Sequence, residues 1–69
     1  MTGAEFRAAR QAAGLSQKAL AAAAGVAWTQ IQKIEAGTIQ IGNVTLRTAV
    51  RLADALGVPL AGLYSQKET

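Results

Sequence analysis

The chain of 69 residues contains neither cysteine nor histidine. Without Cys there is no disulfide framework and no thiolate, and without His the commonest general base and metal ligand is missing as well. Together these absences point away from an enzyme and away from a bound metal or other cofactor. Proline occurs once, and Phe, Trp and Tyr once each, so little interrupts helices and few rings fill a core. Long apolar runs are lacking too. The longest spans residues 19–28, is mostly Ala and is broken by Gly25, whereas a membrane-spanning helix needs roughly 20 apolar residues. The first turns carry Glu5, Arg7 and Arg10 with no basic cluster leading into an apolar stretch. A secretory signal is therefore not expected, and the expected compartment is the cytoplasm, in association with the nucleoid.

What is present is alanine. Apolar residues make up 51% of the chain, but 16 of them are Ala, which leaves 19 larger apolar side chains for the whole core. This length and composition fit one small domain covering residues 1–69, with an ordered core over about 2–64 and a polar tail at 65–69. With no disulfide or metal to staple it, such a domain relies on helix packing and on a partner subunit. The formal charge of +3 and a pI near 10.0 favour polyanionic partners.

Gly14, Gly25, Gly37 and Gly57 each close a segment rich in helix-forming residues, as glycine does just past helix C-termini. Thr2-Gly3-Ala4-Glu5 reads as a capping box that starts a first helix running to about Ala13, with Phe6, Ala9 and Ala13 facing inward. Ser16 caps a second helix that runs to about Ala24 and packs through Leu20 and Ala21. A third, from Trp28 to Ala36, buries Ile31 and Ile34. Residues 38–44 lack helical periodicity and read as an ordered loop or a briefly paired strand. Thr45 caps a fourth helix with Ala49, Leu52, Ala53 and Leu56 at i, i+3, i+4, i+7 spacing. Pro59 opens a short last helix with Leu60, Leu63 and Tyr64.

The block over residues 17–36 has the offsets of a helix-turn-helix. Ala21 is small where two helices touch, Gly25 makes the turn, and Val26, Ile31 and Ile34 anchor the second helix. Trp28, Thr29, Gln32 and Lys33 are left projecting outward. An Ala-rich helical hairpin with no role beyond packing fills some of these positions, but filling all of them together is far more restrictive.

With these residues in hand, the sequence resembles the Xre or Cro/lambda-repressor helix-turn-helix family. The resemblance is carried by Arg7-Ala8-Ala9-Arg10, Gly14-Leu15-Ser16-Gln17, Leu20-Ala21, Gly25-Val26, Ile31-Gln32-Lys33-Ile34-Glu35-Ala36-Gly37 and Leu52-Ala53-Asp54-Ala55-Leu56-Gly57-Val58. It implies an all-α, compact five-helix bundle of the lambda repressor-like type, with the third helix in the major groove of double-stranded DNA and the second across the backbone. It also implies an ion pair between Arg10 and Glu35. The sequence departs from the family pattern at Ala27, where a capping side chain is usual, at Ala36, where a polar residue is common, and in a 38–44 loop without Pro.

On this reading Gln32 and Lys33 suit adenine and guanine edges, and Thr29 suits a thymine methyl or a phosphate. Trp28 completes the base-reading set, packing on a thymine methyl or deoxyribose in the groove; the alternatives are that it folds back on the domain or docks another protein. The phosphate-contacting set is Gln17 and Lys18 at the start of the second helix, with Gln40, Asn43 and Arg47 beyond the third. Leu60 is assigned to the core, and Leu63 with Tyr64 to a twofold interface. The function these expectations converge on is a homodimeric, sequence-specific transcriptional regulator, a repressor at a pseudo-palindromic operator. The alternative is an antitoxin-like or scaffold module whose main partner is a protein.

Overall fold

The computed structural model describes residues 1–64; the polar tail expected at 65–69 lies outside them. Five α-helices follow one another: α1 (Gly3–Ala12), α2 (Gln17–Ala24), α3 (Trp28–Ala36), α4 (Leu46–Leu56) and α5 (Leu60–Tyr64), with a 3-10 turn at Ile41–Asn43 before α4. No strand occurs among the described residues, and none of their helices is long and apolar enough to cross a membrane.

Helix starts are written locally. Thr2 Oγ1 accepts from the Glu5 amide at 3.1 Å, and Glu5 Oε1 accepts from the Thr2 amide at 2.8 Å, closing the capping box of α1. Ser16 Oγ accepts from the Ala19 amide and Thr45 Oγ1 from the Thr48 amide, which starts α2 and α4 in the same way. Only α3 among these four lacks such an acceptor: Ala27 is extended, with φ −69° and ψ 141°, and makes no side-chain cap. Ala27 is exposed, so a hydroxyl fits there without displacing anything. Ala27→Ser is therefore expected to stabilise the domain by about 1 kcal/mol. In a thermal melt followed by circular dichroism this reads as a rise of roughly 4–8 °C; an unchanged midpoint would mean that the start of α3 is already satisfied in another way.

The core is built from one or two residues per turn of each helix. Phe6, Leu20, Ile31, Ile34, Leu52 and Leu63 are its largest fully buried side chains, each contributing about 1.5–3 kcal/mol by leaving water. Between them Ala21, Ala24, Ala49 and Ala53 are buried. Their small side chains let α2 approach both α3 and α4 closely, which is how a chain with so few large apolar residues closes its interior. The closest backbone approach lies elsewhere, where α1 begins against the end of α3. A Cβ placed on Gly3 would sit 2.6 Å from the Glu35 carbonyl oxygen and 2.7 Å from that of Ile34.

Two expectations change. Ala13 is not part of the inward face of α1: it is exposed as the C-cap, and Arg10 is the second buried residue of that helix beside Phe6. Leu63 is fully buried, so it belongs to the core and offers nothing to a second subunit. The five-residue α5 leans on both α4 and the 3-10 turn, and Leu63 is the residue it drives inward. The stretch 38–44 is the ordered loop expected of it rather than the strand, and its 3-10 turn at Ile41–Asn43 delivers Ile41 to the core.

Candidate nucleic-acid interface

Helices α2 and α3 are joined by Gly25, Val26 and Ala27. Gly25 takes φ 68°, a left-handed conformation that costs a side-chain-bearing residue about 1 kcal/mol or more. Its amide and that of Val26 return to Ala22 and Ala21 carbonyls. The chain thus leaves α2 in a tight turn that sets α3 across it. With Ile31 and Ile34 buried, the opposite side of α3 presents Thr29, Gln32 and Lys33 to solvent. At about 100° per residue these three fall within one exposed arc, at a spacing that lets neighbouring side chains meet successive base pairs.

A polar chain of contacts holds the two helices to α1. Arg10 Nε donates to Glu35 Oε2 at 2.6 Å, and Arg10 Nη2 to Glu35 Oε1 at 3.3 Å. Arg10 Nη1 also donates to the Leu15 carbonyl at 2.8 Å. The two side chains are only 10% and 6% exposed, so this pair joins α1 to α3 away from water. Gln17 Nε2 donates to the same Glu35 at 3.1 Å, and Trp28 Nε1 donates to Gln17 Oε1 at 3.3 Å. The Lys18 ammonium lies 4.5 Å from the centre of the Trp28 ring, in cation–π range.

These contacts bear on two expected roles. Although 42% exposed, the Trp28 indole rests on α2, with its N–H and one ring face engaged. It therefore braces the start of the helix that has no side-chain cap. Gln17 uses its oxygen on Trp28 and an N–H on Glu35, so its amide is a link between helices first, and at most one N–H remains to be offered outward.

The brace borders an open cleft of about 630 Å³ whose lining includes Arg7, Ser16, Lys18 and Trp28. Arg7 was absent from the expected contact set. It lies three residues before Arg10 on α1, which places it on the flank of that helix nearest the same cleft; that spacing was the available signal. With Arg10 neutralised by Glu35, the exposed cations around the recognition surface are Arg7, Lys18 and Lys33. Gln40, Asn43 and Arg47 are exposed on the segment that follows α3. Gln40 borders a smaller recess with Gly3 and Ile39 at the start of α1, separate from the cleft.

Comparison with known families finds a match. A helix-turn-helix family model aligns with residues 6–63, from the first buried residue of α1 to the last of α5. No curated protein sequence matches the chain.

Proposed function

Because the chain belongs to the Cro/C1-type helix-turn-helix family, whose domains bind DNA and are not enzymes, we propose that it is a sequence-specific transcriptional regulator acting as a homodimeric repressor. The observation that carries this reading is the exposed arc of Thr29, Gln32 and Lys33 on a helix whose other side is anchored by Ile31 and Ile34. Lys33 donates to guanine O6 and N7, Gln32 pairs with adenine through its amide, and Thr29 meets a thymine methyl. Lys18 and Arg7 at the cleft take one run of phosphates, and Gln40 and Asn43 take another. Trp28 acts through position: by holding α2 to α3 it fixes the angle at which α3 enters the groove.

A twofold pair of such domains reads an inverted repeat whose half-sites lie about one helical turn, roughly 34 Å, apart. Occupying a promoter is then sufficient for repression. Selection from a random duplex library at physiological salt tests the reading. Enrichment of an inverted repeat supports it; a single half-site removes the dimer; salt-sensitive binding without enrichment removes the regulator.

Within that experiment, Lys33→Ala and Gln32→Ala are expected to relax base preference at one position each, by about 1–3 kcal/mol of discrimination. Lys18→Ala should instead weaken all sequences alike and flatten the salt dependence by about one unit of slope. Equal discrimination by wild type and both α3 variants would place the base-reading surface elsewhere.

A further inference from the structure

The outer side of α4 carries an arrangement that neither the core nor the recognition surface uses. Leu46 is 64% exposed and Val50 39% exposed, and at i, i+4 they form one apolar stripe beside the buried row of Ala49, Leu52, Ala53 and Leu56. Tyr64, also 39% exposed, has its ring 4.0 Å from where Gly42 would carry a Cβ, which extends apolar surface toward the start of α4. Next to the stripe stand Arg47 and Asp54. Both are exposed, and neither forms an ion pair among the described residues.

Their spacing carries the inference. Seven residues is two turns, so Arg47 and Asp54 fall on nearly the same line of the helix about 10.5 Å apart, with Val50 to one side of that line, toward Leu46, and Arg51 to the other. A line with a cation at one end and an anion at the other, flanked by the apolar stripe on one side, is complementary to itself reversed. We propose that this face of α4 is an interface for a second copy of the chain, packed antiparallel about a twofold axis passing between Val50 and Arg51. In that register the Arg47 of each copy meets the Asp54 of the other, so two ion pairs flank the opposed Val50 side chains, with Leu46 toward either end. A twofold interface requires one patch to match itself in this way. Arg51, the cation nearest the axis, is turned away: its Nη1 lies 3.8 Å from the Cβ position of Gly25, against the turn between α2 and α3.

This rests on the homodimer reading above and moves its interface from α5 to α4. It also takes Arg47 out of the phosphate-contacting set. A contact between two single helix faces falls at the small end of specific interfaces, below about 1,200 Å² in total. The dimer is accordingly weak in free solution and completed when two adjacent half-sites hold both copies.

Sedimentation of wild type, Arg47→Asp, Asp54→Arg and the double variant at low salt tests the proposal. Circular dichroism confirms that each is folded, as exposed positions allow. Each single swap opposes like charges twice and is expected to weaken self-association at least tenfold; the double variant restores opposite charges and should return to within a few-fold of wild type. Self-association of wild type that both single swaps leave unchanged would overturn this interface while keeping the homodimer. A wild type that stays monomeric at millimolar concentration would overturn both. Arg47→Asp removes the cation in question, so weaker binding of that variant to a duplex with an unchanged dimer would return Arg47 to the phosphates.

Discussion

Glu35→Ala is expected to leave the domain largely unfolded at room temperature. The carboxylate is 6% exposed and accepts from Arg10 twice and from Gln17 once. Removing it leaves a guanidinium in a place water reaches poorly, with only the Leu15 carbonyl still accepting from it. Losing one partner of a buried pair costs about 3–5 kcal/mol. A core in a chain of this size rarely supplies more than that. Loss of the helical signal at 222 nm, or a midpoint shifted far down in urea, is the expected result. The double variant Arg10→Met, Glu35→Leu separates the causes: apolar residues of similar length remove the stranded charge and should recover much of the stability. A Glu35→Ala protein that melted with wild type would mean that the pair is open to solvent and contributes little.

The second large effect is expected from adding a single methyl group. Gly3→Ala places a Cβ 2.6 Å and 2.7 Å from two backbone carbonyl oxygens, and backbone atoms, unlike a flexible side-chain end, cannot swing aside. Either α1 slides along α3 or its first turn peels away and takes the capping box with it. Overpacking of this kind costs about 1–3 kcal/mol, more than the gain of roughly 0.5–1 kcal/mol that Ala has over Gly inside a helix. Gly62→Ala provides the contrast. That glycine also lies in a helix, but its nearest neighbours would be Pro59 carbons at 3.8 and 4.0 Å. There the same substitution should be neutral or stabilising. Thermal melts of the two variants should move in opposite directions; a Gly3→Ala midpoint at or above wild type would show that the approach of α1 to α3 relaxes freely.

The fold was legible wherever its determinants are local. Thr2 with Glu5, Ser16 and Thr45 mark helix starts through hydrogen bonds that span three residues, and Gly25, Gly37 and Gly57 mark ends through positive φ. Both signals survive without knowledge of the rest of the chain. The long fourth helix was legible by periodicity, because eleven residues sample its buried face several times. Short elements gave no such averaging. In the five residues of α5 a leucine that is buried and one that is half-buried look alike, and Leu63 was placed on the wrong side. The 3-10 turn is shorter still, so nothing in 38–44 singled out Ile41.

In the candidate site, the outward set on α3 was legible because Ile31 and Ile34 fix what remains exposed. The roles of Trp28 and Gln17 were not. Eleven residues separate them along the chain, and each is defined by the other once α2 and α3 have packed. A glutamine at the start of a helix looks the same whether it waits for a phosphate or links an indole to a glutamate. Arg7 was passed over because a cation on an exposed helix flank is common, and only the cleft beside it gives that cation a setting.

The close approach of Gly3 to the end of α3 has an electrostatic side as well. A helix placed against DNA, as proposed for α3, brings a difficulty with it: its last carbonyls carry a partial negative charge of about half an electron, and phosphates repel it. Here those carbonyls, at Ile34 and Glu35, are met by the opening turn of α1, the end of a helix where amide hydrogens concentrate partial positive charge. The two helix termini offset each other inside the protein. The field that α3 presents to a polyanion is then set chiefly by Lys33 and its cationic neighbours, with little opposition from the backbone that carries them.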